Sequence, residues 1–239
     1  MPFSFGFFFD PMYFVYLAPA LLLGMWAQWR VRSTYAATSQ MPASLSGAAA
    51  ARYVLKSAGL DDVAIEEIPG QLSDHYDPQA KVLRLSHEVY RGNTLAAVGI
   101  AAHEAGHALQ DAERYMPLVV RNAAVPAANF GSKISIVLLM VGFMLSYRGG
   151  GLGNTLILVG LGAFGLTVAV QLINLPVEFD ASARAKRQLV ELGVIDQQGL
   201  AEVSRVLGAA AWTYVAATLQ TVMTLLYYVS IFAGGDRRR

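Results

Sequence analysis

Four long apolar runs limit what this chain can fold into: about Pro11 to Trp29, Ser132 to Tyr147, Thr155 to Leu175, and Ala209 to Ala233. Crossing the hydrocarbon of a bilayer takes about 20 helical residues, and a helix keeps its backbone N–H and C=O groups satisfied inside the lipid. Four membrane helices are therefore expected. The second run is the shortest and has Lys133 near its start, so it either spans with tilt or local thinning of the bilayer or is a buried helix of a soluble part. The composition agrees, with 55% apolar and only 15% charged residues, whereas a soluble domain carries about 25% charged.

No Lys or Arg precedes the first run and no small-residue cleavage site follows it. It ends at Trp26, Trp29, Arg30 and Arg32, an aromatic and basic edge suited to a membrane interface. The expectation is a retained anchor rather than a signal peptide. Two polar regions, 33–128 and 176–208, hold most of the Lys and Arg, while the N-terminal tail has none and the Gly-rich turn Arg148–Asn154 only Arg148. By the positive-inside rule both polar regions face the cytoplasm and the N-terminus lies outside. Arg237, Arg238 and Arg239 oppose this arrangement if the last run spans fully; either that run re-enters or the rule is broken at the tail. A net charge of +1 gives no global field for nucleic acid. With no cysteine, disulfides and thiolate metal sites are excluded, and any zinc must take nitrogen and oxygen ligands.

Within the larger polar region, Ser46 is placed to cap a helix from Gly47 to about Ala58. Val63 to Ile68 alternates as a strand, Pro69-Gly70 turns the chain, and Asp74 to Pro78 reads as a polar loop. Lys81 to Leu85 reads as a second strand, either an edge open to an extended peptide or an ordinary strand with Val82 and Leu85 packed inward. Asn93 is the expected cap of an Ala-rich helix from Thr94 to about Arg114, and Pro117 and Pro126 interrupt the chain beyond it. In the smaller region, Pro176 is expected in the first turn of a helix, followed by a turn at Gly193 and another helix.

The Ala-rich helix contains Ala101-Ala102-His103-Glu104-Ala105-Gly106-His107-Ala108, an H-E-x-x-H motif. Residues four apart lie on nearly one face of a helix, about 6 Å along its axis. His103 and His107 can thus converge on one ion, while Glu104, rotated by about 100° from His103, flanks it as a general base. Buried histidines satisfied by their neighbours are the bland alternative. Gly106 is costly in a helix interior, which suggests a close approach there.

A catalytic zinc needs a third protein ligand and one open position. His75 and His87 are candidates, but the leading one lies in Leu175-Pro176-Val177-Glu178-Phe179-Asp180-Ala181-Ser182, directly after an apolar run. Glu178 comes first, then Asp180, although acidic residues in a helix's first turn are also favoured by its dipole. For oxyanion stabilisation Arg184, His75, Tyr76 and Tyr214 are candidates.

Five blocks carry a resemblance over nearly the whole chain: Met25-Trp26-Ala27-Gln28 with Ser33-Thr34; Asp74-His75-Tyr76-Asp77-Pro78; Ala102 to Ala108; Pro126 to Ser132; and Leu175 to Ser182. In these the sequence resembles the YugP-like neutral zinc metallopeptidases of bacterial membranes. That family is similar to the HtpX-like and prenyl-protein membrane peptidases, in which a later helix supplies a glutamate as third ligand. The resemblance implies Glu178 as that ligand. The aspartate usual four residues further on is Ser182 here, with Asp180 as a substitute from another face.

The expected protein is mainly α: about four transmembrane helices (11–29, 132–147, 155–175 and 209–233) with a small zincin-like α+β metallopeptidase domain. Its catalytic region is 33–128, and 176–208 carries the third ligand. Zn2+ is the expected cofactor, held by His103, His107 and Glu178, with Glu104 catalytic. Peptides or proteins, including membrane proteins, are the expected substrates. The resemblance and the charge asymmetry place the chain in a bacterial inner membrane, with the lipid bilayer as partner, no nucleic acid, and a cytoplasmic site. A zinc-binding membrane scaffold is the alternative, and a zinc hydrolase of lipid or prenyl groups a third.

Overall fold

A computed structural model describes residues 10–146 and 151–236. The chain is mainly helical with one small sheet: α1 (Pro11–Thr38), α2 (Gly47–Ser57), β1 (Ala64–Ile68), β2 (His75–Asp77), β3 (Val82–Ser86), α3 (His87–Arg91), α4 (Leu95–Ala112), α5 (Met116–Ser146), α6 (Gly151–Glu191) and α7 (Gln197–Asp236). It divides into two compact units. One gathers the chain up to Trp26 with Val120–Asn174 and the part from Tyr214 on, and the other joins Ala27–Val119 to Leu175–Thr213.

Among the described residues three helices, α5, α6 and α7, are long and apolar enough to cross a membrane. In the first unit, close packing of α5 on α6 depends on glycine. A Cβ on Gly142 would lie 2.8 Å from the Ile157 side chain, and one on Gly131 would lie 3.1 Å from the Ala163 carbonyl oxygen. Small residues let helices approach without a hydrophobic drive between them, leaving Ile136, Val137, Leu158 and Val159 exposed as a lipid-facing surface requires. The first apolar run forms α1, but with tyrosines at 13 and 16 and Pro19 inside it, α1 is not one of the three.

Prolines interrupt less than the sequence suggests. Pro117 sits in the first turn of α5, where its missing N–H is harmless. Pro126 lies inside α5, and Pro176 lies inside α6 rather than starting a new helix. Long apolar helices tolerate such a lost hydrogen bond. Of the Gly-rich turn, residues 148–150 lie outside the described residues, as do Tyr147, the N-terminal tail 1–9 and Arg237–Arg239; Gly151–Asn154 already belong to α6.

In the second unit the sheet order is β1-β3-β2, with β1 parallel and β2 antiparallel to β3. The second predicted strand, β3, is therefore central. Both its edges are occupied, so it cannot receive a peptide; the free edges are β1 and β2. Val82, Leu83 and Leu85 of β3 are buried, and Leu83 and Leu85 pack against α2 and α4 together with Ala51, Leu55, Ala105 and Leu109. The segment expected as a loop holds β2. Its flanks are fixed by Asp74, which accepts from the Ser86 N–H at 2.7 Å, and by Asp77, which accepts from the Gln79 N–H at 3.0 Å. Ser46 caps α2 as expected, accepting from Ala49 N at 3.2 Å. The cap of α4 is Thr94, not Asn93; its hydroxyl accepts from Ala97 N at 3.2 Å. That helix ends at Ala112, and Gly193, at φ 65°, makes the turn between α6 and α7.

Candidate metal centre

The Ala-rich stretch of α4 packs against α2 and the sheet through Ala101, Ala105 and Ala108, which turns His103 and His107 together toward another side. Their rings meet edge to face with centroids 4.8 Å apart. Across from them, α6 presents Val177, Ala181 and Ala185, all fully buried, and beside these Glu178, which is 5% exposed. Gly106 permits this approach: a Cβ there would lie 2.6 Å from the Ala181 carbonyl oxygen. The close contact expected at this glycine is thus with the backbone of α6.

His103 Nε2 lies 3.3 Å and His107 Nε2 3.6 Å from Glu178 Oε2. Among the described residues, these three form a group whose donor atoms all lie within 4.8 Å of one another, a possible metal site. The donor set suits zinc. Four ligands at about 2.0–2.1 Å from a tetrahedral ion stand about 3.3–3.4 Å from each other, close to the separations of the two histidines from Glu178. Glu104, one position along α4 from His103, is 8% exposed.

Each imidazole is also held from behind. His103 Nδ1 is 3.1 Å from Ser182 Oγ, one turn after Glu178 on α6. His107 Nδ1 is 3.0 Å from Gln110 Oε1. Asp180 reaches His107 only indirectly: its Oδ2 accepts from Gln110 Nε2 at 2.8 Å and from Arg184 Nε at 2.5 Å. Burial pushes the His107 imidazolium toward neutrality, but the nearby carboxylates of Glu178 and Glu104 outweigh that and raise its pKa. An anionic pocket of this kind favours a cation.

The other sequence candidates lie elsewhere. His75 is exposed with Nδ1 2.8 Å from the Ser73 carbonyl oxygen, and His87 is exposed and paired with Glu67. Arg184 is engaged by Asp180 and by Glu113, 2.6 Å away. Tyr76 donates to Asp111 at 2.9 Å. Burial, with that bond, pushes its phenol above the usual range, leaving no free donor there. Tyr214 belongs to the other unit. Gln110 is a partner that sequence reasoning misses, because an amide has no spacing signature of its own. Its position three residues after a motif histidine, nearly one turn on along the same face, is the available signal.

A family profile described as "Putative neutral zinc metallopeptidase" matches residues 13–233. The protein named "Putative membrane protease YugP" of Bacillus subtilis (strain 168) is 44% identical over 229 residues, covering 94% of this chain and 98% of that protein. No solved structure matches the chain.

Proposed function

This chain belongs to the neutral zinc metallopeptidase family, and from that premise we propose that it is a membrane-embedded zinc endopeptidase. His103, His107 and Glu178 hold the metal and Glu104 is the general base. The observation that carries this reading is the convergence of two imidazole nitrogens from α4 on one carboxylate from α6, at a tetrahedral ligand spacing. Zinc bound there supplies a Lewis acid that polarises a substrate carbonyl and makes water acidic enough to attack at neutral pH. Glu104 takes the proton from the attacking water and delivers it to the departing amine. Its place on α4 gives it a fixed bearing on His103 and His107, so their geometry and the base's move together. The outer partners Ser182 and Gln110 hold the imidazole rings in place.

The catalytic region is 33–128 together with the helical 176–208, of zincin-like form. α1 joins α5, α6 and α7 as a fourth membrane helix, and the site opens to the cytoplasm at a bacterial inner membrane. Support for membrane proteins or unfolded segments as substrates comes from α6, which carries an apolar stretch long enough to span and Glu178 in one helix. In zinc-loaded protein, Glu104→Gln is expected to retain the metal while cleaving an unstructured protein at least about 100-fold more slowly. Full cleavage by the metal-loaded variant would remove Glu104 from the mechanism, and a metal-loaded wild type with no cleavage would favour a scaffold.

A further inference from the structure

Gln110 is fully buried on α4, three residues after His107. Its Nε2 lies 2.8 Å from the Val177 carbonyl oxygen and 2.8 Å from Asp180 Oδ2. A carbonyl can only accept a hydrogen bond, and so can the Asp180 carboxylate oxygen that already accepts from Arg184. The amide nitrogen must therefore stand at that end. Its oxygen then faces His107 Nδ1, 3.0 Å away, and an amide oxygen also only accepts. It follows that Nδ1 of His107 bears a proton, which leaves Nε2, the nitrogen turned toward Glu178, as the one that can bind a metal.

We propose that Gln110 is a positioning residue that fixes the tautomer and ring orientation of His107 for metal binding, with Val177 and Asp180 locking the amide. This rests on the metal-site reading above. The two histidines are held unequally: Ser182 presents His103 with a hydroxyl, which can donate or accept and so leaves that tautomer open. Outer partners of ligating histidines typically control metal affinity by about 10–100-fold, and here that control lies on His107.

The test is zinc affinity of the full-length, detergent-purified protein by chelator competition, with the absorption spectrum of the cobalt-loaded form. Gln110→Leu keeps the volume and removes the amide. It is expected to weaken zinc by about 10–100-fold and to shift the cobalt bands, with Ser182→Ala losing less. Wild-type zinc affinity and an unchanged cobalt spectrum in Gln110→Leu would overturn the proposal while leaving the metal site standing. A wild type that binds no zinc would sink both. Should Gln110→Leu fail to fold, nitrogen-15 NMR of the zinc-loaded wild type decides. A slowly exchanging proton on His107 Nδ1 supports the assignment, and metal on that nitrogen, or exchange as fast as at His75, defeats it.

Discussion

The Asp74 carboxylate accepts from both the backbone N–H and the hydroxyl of Ser86, at 2.7 and 3.0 Å, yet burial outweighs these bonds and raises its pKa. A carboxyl with a raised folded pKa binds its proton more tightly in the native state. Its contribution is therefore complete below the ordinary value of 3.8 and is lost as pH rises through the raised one. Asp74→Asn removes that titration. The thermal midpoint of the variant relative to wild type, both freed of zinc, should increase from about pH 3.5 to about pH 7; a constant difference would contradict the burial argument. At this scale, side chains with chemical signatures are readable from sequence. His103, Glu104 and His107 announce themselves through helical spacing, and Glu178 follows from the resemblance where spacing alone leaves Asp180, His75 and His87 open. Gln110 and Ser182 are not readable as partners of the histidines, since a buried amide and a hydroxyl acquire meaning only from what the fold sets opposite them.

α4 and α6 approach so closely at Gly106 that a methyl group has nowhere to go. Gly106→Ala would place a Cβ 2.6 Å from backbone oxygen, which cannot swing aside as a side chain can. The variant should lose about 1–3 kcal/mol of stability and bind zinc more weakly, because Glu178 rides on the displaced helix. Gly208→Ala on α7, with nothing within 4 Å of the added carbon, is the control; it should be neutral or stabilising by up to about 1 kcal/mol. Thermal melting and zinc titration of the pair check this, and equal behaviour of the two would remove the packing explanation. Long apolar runs and well-capped helices are legible as elements. The three residues of β2 are too few to show alternation, and a central β3 depends on pairing order, which no local pattern encodes. The rule that puts proline in a helix's first turn comes from soluble helices, and it fails at Pro176 because one helix continues there out of an apolar run.

For the molecule as a whole, zinc that binds only the folded form adds stability by mass action, about 2.7 kcal/mol at a hundred times its dissociation constant. Chelation should therefore lower the melting temperature of the wild type and zinc should restore it, whereas Glu178→Ala should melt at one temperature with or without zinc. A wild type indifferent to chelator would refute a site in which zinc ties α4 to α6. The absence of cysteine makes topology directly measurable, since a single introduced thiol is labelled against no background. Lys56→Cys and Gln198→Cys, both at exposed positions, should resist an impermeant maleimide in intact bacteria and react after lysis; labelling from outside would invert the proposed orientation. The separation of the proposed ligands along the chain also orders events during synthesis. Glu178 emerges about 70 residues after His107, about 4–14 seconds later at ordinary elongation rates of about 5–20 residues per second. During that interval the histidines lack their carboxylate while two apolar helices are still being threaded into the bilayer. A nascent chain of this design holds no complete set of proposed ligands until α5 and most of α6 have been made, with α7 still to come, so the ribosome acts as the timer of the site.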